Sequence, residues 1–185
     1  MQVYNEEEIL KQLRSQEPEV QKQAFGKVVS FYNEKLYRQI RKMVLTHDDT
    51  NDLLQNTWIK AWTHIDWFRG EAKLSTWLYK IAVNECITFL NKQRALHDVS
   101  IDDADSFLLN RLESDPWFDG DEAQLKLQQA ILSLPEKQRL VFNMRYFEEM
   151  PYDEMSEVLG TSTGALKASF HHAQKKIEAF LTQER

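Results

Sequence analysis

The sequence is poor in several residue types, and each scarcity excludes a class of protein. Its single cysteine, Cys86, rules out a disulfide framework within one chain and argues against a cysteine-based zinc site. Only 5 glycines and 4 prolines occur in 185 residues, which is few for an all-β protein with many turns. Stretches rich in Glu, Lys, Leu and Gln favour helices instead. We therefore expect an all-α fold.

Long apolar runs are also missing. No stretch approaches the roughly 18 uncharged apolar residues that a membrane-spanning helix needs. The acidic, amphipathic residues 1–13 have neither the basic start nor the apolar run of a signal peptide. We expect a soluble cytoplasmic protein that does not insert into a membrane.

Positive charge is scarce overall, but the deficit is local. The net charge of −6 counts against a protein that binds nucleic acid unaided, because neutralisation of phosphates drives such binding. The segment from His97 to Glu122, however, contains nine acids and one base, Arg111, and so carries a net charge of −8. The rest of the chain therefore carries +2. Helical periodicity is lost in residues 96–121, where Pro116 and Gly120 act as breakers, and we interpret this segment as an acidic linker.

The residues before the linker show helical stripes. Apolar side chains recur from Leu53 to Ile65 at steps of three and four, and the acids just before them suit a helix N-terminus. A later helix is predicted over 75–94. Its inner stripe is Leu74, Leu78, Ile81, Ala82 and Phe89, and its opposite, outer face holds Thr76, Lys80, Val83, Asn84, Ile87, Asn91 and Arg94.

The residues after the linker predict a helix-turn-helix. A short helix starts at Pro151 and stops at Gly160, which suits a left-handed cap, and Ser162 suits the N-cap of a longer amphipathic helix. Opposite that helix's apolar stripe lie Ala168, His171, His172 and Lys175, flanked by Lys167 and Thr161. An ordinary helical hairpin with a solvated polar face fits the pattern equally well.

An aromatic and basic run covers residues 66–80, shortly after Trp58 and Trp62. Aromatic rings beside cations can stack unpaired bases, at roughly 1–3 kcal/mol per base. Taken alone, the run fits a second interpretation better for most of its tryptophans, since large aromatic side chains are usually buried.

Two blocks of the sequence resemble sigma factors of bacterial RNA polymerase. Residues 52–58 (DLLQNTW), 61–62, 68–70 and 74–84 are similar to region 2, and residues 134–139, 152–160 and 164–167 are similar to region 4. With no middle domain between the blocks, the chain looks like the extracytoplasmic-function branch. The resemblance implies two small helical domains joined by the acidic linker. Residues 1–95 would bind core polymerase and open the −10 element, and residues 122–185 would read the −35 element.

The resemblance also implies site residues. Core polymerase would contact Asp49, Asp52, Leu53, Gln55 and Asn56. The −10 element would contact Trp62, Trp67, Phe68, Arg69, Lys73, Thr76, Trp77, Lys80 and Asn84. The −35 element would contact Ser162, Lys167, Ala168, His171, His172 and Lys175.

The sequence departs from the family at a few of these places. Asn56 stands where Glu is frequent, and Ser169, His172 and Gln174 stand where Arg is common. We therefore expect an altered clamp contact and weaker attraction to the −35 phosphates. The implied partners are core RNA polymerase, promoter DNA and an anti-sigma factor, which would provide any membrane tethering.

Catalytic motifs are absent. The adjacent His171 and His172 point about 100° apart, unlike an i, i+4 metal-binding pair, and no phosphate loop or nucleophile elbow occurs. We expect neither an enzyme nor a cofactor nor a metal site.

Alternatives stay open at this point. A helix-turn-helix regulator that binds an operator by itself, or a sigma-like module that binds only an anti-sigma partner, would share parts of the pattern. The linker's acids are explained either as a stand-in for RNA in the polymerase channels or as the composition of a soluble tether.

Overall fold

The computed structural model describes residues 5–96 and 122–182, and every regular element in these two ranges is helical. The all-α prediction is confirmed. The predicted linker lies outside the described residues except for Leu96, the last residue of its helix. The elements are α1 (Glu6–Leu13), α2 (Pro18–Val44), α3 (His47–Thr63), a 3-10 turn (Ile65–Trp67), α4 (Leu74–Leu96), α5 (Glu122–Leu132), α6 (Glu136–Tyr146), α7 (Tyr152–Leu159) and α8 (Thr163–Thr182).

The start of α3 is fixed by a reciprocal cap. The backbone N–H of Asp49 donates to Thr46 Oγ1 at 3.4 Å, and the Thr46 hydroxyl donates to the Asp49 carboxylate. This arrangement satisfies a helix N–H that has no partner within the helix, as a capping box does. Acids at the first turn also complement the helix dipole.

The first four helices contribute most residues of the larger buried cluster. Long α2 lies between α1 on one side and α3 and α4 on the other, with Leu36 and Ile40 fully buried. Leu74 and Leu78 of the predicted inner stripe of α4 are fully buried as well. The helices from Glu122 onward form a smaller cluster in which α8 packs on α5, α6 and α7. Its buried members are Ala130, Ile131, Leu134, Phe142, Ala173 and Ile177.

The two helical groups pack directly against each other. Helix α7 packs on α4, and Val83 of α4 belongs to the same buried cluster as Met155 and Val158 of α7. Helix α6 contacts α2, and Asn143 Nδ2 donates to the backbone oxygen of Lys42 at 3.4 Å. Ion pairs between described residues cross the contact, among them Lys42–Glu148 at 2.7 Å, Arg94–Glu136 at 2.8 Å, and Lys73–Glu154.

This packing corrects the predicted outer face of α4. Thr76 and Val83, expected on the surface, are 2% and 1% exposed. Neighbouring Tyr79 is also buried, and its pKa is raised first by this burial and then by the charges of Glu148 and Glu154 from the second helical group, so α7 covers this side of α4. Lys80, Asn84 and Asn91 remain exposed, as expected. No helix among residues 5–96 and 122–182 is both long and apolar enough to cross a membrane.

Candidate nucleic-acid interface

The helix-turn-helix forms where the sequence predicted it. Helix α7 ends at Gly160, whose φ of 63° is left-handed, and the chain turns directly into α8. Glycine takes this conformation without the clash that a Cβ atom brings. The N–H of Ala165 donates to Ser162 Oγ at 3.3 Å, which caps α8. Leu166, Ala173 and Ile177 are buried and fix which side of α8 faces outward.

The outward side of α8 is polar and accessible. The six side chains predicted to read the −35 element are all exposed: Ser162, Lys167, Ala168, His171, His172 and Lys175. The Lys167 ammonium lies 5.7 Å from the ring centroid of Tyr152, a cation–π arrangement that links α8 to the start of α7. The N-terminal half of α8 therefore offers donors to phosphates or base edges.

A second candidate surface is a cleft of about 300 Å³ beside the 3-10 turn. It brings together three of the residues predicted for the −10 element, Trp67, Trp77 and Asn84. Trp67 is 77% exposed, an unusual position for a large aromatic ring. Phe68 packs against Trp77, with ring centroids 5.2 Å apart. The exposed ring beside an aromatic-walled cleft can stack an unpaired base.

Sequence reasoning missed part of this cleft's lining. Lys60 and His64 lie one helical turn apart at the end of α3. Their spacing, just before the aromatic run, could have predicted that both side chains reach this cleft. Ile81 was assigned to the inner stripe of α4, yet it is only half-buried and reaches the cleft. Glu85 lines the same cleft and forms an ion pair with Lys60, so the cleft holds both charge signs.

The other predicted −10 residues are dispersed. Trp62 lies on α3 against Phe25, with ring centroids 5.0 Å apart, and lines a different groove. Arg69 and Lys80 are exposed. Lys73 is also exposed but pairs with Glu154, whose hydrogen bond and charge raise the pKa of the lysine. Thr76 is 2% exposed, so in this structure it presents no surface to DNA.

The predicted polymerase-binding residues divide into surface and structural positions. Asp52, Gln55 and Asn56 are exposed along α3. Asp49 is half-buried and takes part in the cap with Thr46. Leu53 is 4% exposed because it belongs to the apolar stripe that packs α3 into the core, so its predicted surface contact is corrected.

An apolar groove of about 480 Å³ runs beside these exposed polar residues. Ile59 is 56% and Trp62 is 40% exposed, which marks a surface suited to contact with another chain. The groove is lined by Asn33, Asn51, Leu54, Gln55, Trp58, Ile59, Trp62 and Thr63.

The described residues hold no group of three or more His, Cys, Asp or Glu side chains placed to bind a metal ion. Cys86 is fully buried, and burial raises the pKa of its thiol, which keeps it in the weakly nucleophilic protonated form.

Family models match both blocks of the chain. "Sigma-70 region 2" matches residues 29–96, and "Sigma-70, region 4" matches residues 124–177. The ECF RNA polymerase sigma factor SigW of Bacillus subtilis is 28% identical over 162 residues, covering 83% of this chain and 87% of SigW. The RNA polymerase sigma-H factor of Pseudomonas aeruginosa is 29% identical over 168 residues, covering 86% of this chain and 87% of that protein.

Two solved structures share the fold. CnrH in complex with the cytosolic domain of CnrY has a TM-score of 0.71 at 20% identity and covers 97% of this chain and 99% of that chain. The sigma factor RpoE in complex with the anti-sigma factor NepR from Bartonella quintana has a TM-score of 0.67 at 21% identity, with 87% and 98% covered. With both regions matched in order and a helix-turn-helix in the second, the chain belongs to the extracytoplasmic-function group of the sigma-70 family.

Proposed function

We propose that this chain binds core RNA polymerase and directs it to specific promoters for transcription initiation. The observation that carries the proposal is the pairing of the two sigma regions in one chain, each with an accessible candidate surface. Residues 1–95 would bind core and open the −10 element, residues 96–121 would join the domains, and residues 122–185 would read the −35 element. The role is that of an initiation factor in the cytoplasm, without catalysis or a cofactor.

The polymerase contact is assigned to the exposed face of α3. Asp52, Gln55 and Asn56 supply charge and hydrogen-bonding groups, and the apolar groove along Ile59 and Trp62 supplies area to bury. A polar row beside an apolar groove has the composition of an interface with a buried centre and a polar rim. Asp49 would contribute to this contact only by capping α3, because its carboxylate accepts a hydrogen bond from Thr46.

The substitution Asp52→Arg tests this assignment. It reverses an exposed charge within the proposed interface, so affinity for core should fall by about tenfold or more while the fold stays intact. Fluorescence titration with core polymerase measures the affinity, and circular dichroism checks the helix content. Glu19→Arg, the same charge change at an exposed position on α2, is the matched control. Equal affinities for both variants and the wild type would refute the assignment.

The promoter contacts are assigned to two surfaces. The cleft lined by Trp67, Trp77 and Asn84, with Phe68 and Arg69 in the adjoining loop, would capture an extruded −10 base. Lys80 lies on the exposed side of α4 near Asn84 and would contact the backbone. The exposed side of α8 would enter the major groove at the −35 element, as the second helix of this motif does.

An anti-sigma factor is the remaining proposed partner. The titles of the two similar structures describe complexes of CnrH with CnrY and of RpoE with NepR. By analogy, a protein of this kind would bind and restrain this chain, and a membrane-bound partner would account for any tethering. A regulator acting alone would protect an operator from nuclease without polymerase, whereas the proposed function requires core enzyme for protection.

A further inference from the structure

The loop that joins α3 to α4, residues 64–73, is attached to the N-terminal helices at three points. Gln21 Nε2 of α2 donates to Asp66 Oδ1 at 2.9 Å. Arg14 Nη2, just after α1, donates to the backbone oxygen of Arg69 at 3.0 Å. The N–H of Leu74, which begins α4, donates to Glu6 Oε1 at 3.4 Å. The start and the middle of the loop, and the first residue of the helix that follows it, are each held from outside the loop.

The middle attachment meets the loop beside Gly70. Gly70 has a left-handed φ of 76°, and an added Cβ atom there would lie 2.8 Å from Arg14 Nη2. The Arg14 guanidinium therefore packs directly against the one loop position whose backbone favours glycine. Ile65 and Phe68 of the loop pack on the core, and the hydrogen bonds span a cleft of about 380 Å³ that remains between the loop and the helices.

The holding groups are themselves anchored. Gln21 Nε2 also donates to the backbone oxygen of Leu13 at 3.0 Å, which ties α2 to the end of α1. Tyr32 is buried on α2, and its hydroxyl donates to Glu6 Oε2 at 3.3 Å. Ile9 and Leu13 bury the inner side of α1 against the core. The α1–α2 hairpin is thus a fixed frame for the loop, although α1 lies outside the matched region 2, which begins at residue 29.

We propose that Arg14 is a positioning residue for promoter opening, which rests on the proposed role of this loop in capturing a −10 base. Arg14 holds the Arg69–Gly70 backbone so that Trp67 and Phe68 keep the arrangement that receives the base. Arg14 touches the loop's backbone and acts through it. A preorganised loop binds an extruded base without first losing conformational freedom.

The test compares promoter opening by holoenzymes carrying wild type, Arg14→Ala or Arg14→Lys. Arg14→Ala should lower permanganate reactivity of the −10 thymines on duplex promoter by roughly fivefold, the effect of one lost hydrogen bond. Affinity for core and protection of the −35 region should be unchanged. On a template already melted at −10, transcription should return to within about twofold of wild type. Arg14→Lys, which keeps a cation and a donor, should recover part of the opening. Lys22→Ala removes an exposed cation from α2 and should open promoters normally.

Two results would overturn the proposal. Normal opening by Arg14→Ala would do so, and so would an equal loss of core binding, −35 protection and opening, because that pattern is a general folding defect. A Phe68→Ala/Arg69→Ala double variant separates failure of the positioning role of Arg14 from failure of the proposed function. If the double variant opens promoters poorly while Arg14→Ala is normal, only the positioning role fails; if the double variant opens normally, the loop's role in melting fails.

Discussion

Lys167 and His171 lie side by side on the exposed surface of α8, and their chemistry predicts different effects in the proposed −35 contact. A lysine that contacts phosphate adds affinity for all sequences, and its loss should flatten the dependence on salt. A histidine at a base edge adds discrimination of about 1–3 kcal/mol at one position. Lys167→Ala should therefore weaken transcription from every promoter alike, and His171→Ala should relax preference at one −35 base.

A library of −35 variants transcribed by each holoenzyme separates the two effects. Lys176→Ala serves as the control, because Lys176 is exposed but points about 180° away from Lys167 on the same helix. If both variants transcribe every member of the library as the wild type does, this side of α8 does not read the promoter.

Single residues also show where sequence reasoning stops. Gly160 and Ser162 were correctly predicted as caps because their preferences arise from local backbone geometry. The family resemblance gave Leu53 a contact with polymerase, and helical spacing placed Thr76 on the outer face of its helix, yet both side chains are buried. The periodicity of apolar residues in α4 indicates the side that packs on α2 and α3. It gives no indication that α7, from another part of the chain, buries a second side of the helix.

Among the helices, α3 carries the proposed polymerase interface, and a cap fixes where this helix begins. The hydroxyl of Thr46 accepts a hydrogen bond from the backbone N–H of Asp49, and it donates one to the Asp49 carboxylate. Thr46→Ala should lower the free energy of unfolding by about 1 kcal/mol, the usual effect of losing such a cap. Urea unfolding measures the change. Thr46→Ser keeps the hydroxyl and should restore most of it, and equal stability of the Ala variant and the wild type would contradict the assigned cap.

The attachment of the 64–73 loop to α1 and α2 is an element-scale feature that the sequence could not disclose. The bond from Arg14 ends on a backbone oxygen 55 residues later in the chain. Backbone acceptors are common to all residues, so such a contact leaves no pattern of residue types. The helices themselves were predictable because their apolar stripes extend over many residues.

At the scale of the whole molecule, Tyr79 reports on the contact between the two helical groups. Burial, followed by the charges of Glu148 and Glu154, raises its pKa to about 12. A raised folded-state pKa means that the folded protein retains the proton longer than the unfolded chain does. The stability from the neutral phenol is therefore fully present below pH 10 and is lost as the pH rises through about 12.

Between pH 10 and about pH 12, the titration of Tyr79 should lower the free energy of unfolding by roughly 2–3 kcal/mol. Tyr79→Phe should remove this part of the pH dependence, and Glu148→Gln should shift it to lower pH. Tyr146→Phe is the control, because Tyr146 is 54% exposed. Urea titrations at successive pH values provide the data. Parallel profiles for wild type and Tyr79→Phe would show that α4 is not covered in solution as the structure has it.

The most direct measurement for the whole molecule is transcription by core RNA polymerase, with and without this chain, from a library randomised at both promoter elements. Transcripts should depend on the chain and should arise from a subset of templates that share two sequence elements at one fixed spacing. Polymerase should be required for promoter protection, since the −6 net charge disfavours DNA binding by the chain alone. Protection of DNA by the chain alone, with no transcription above that of core enzyme, would contradict the account.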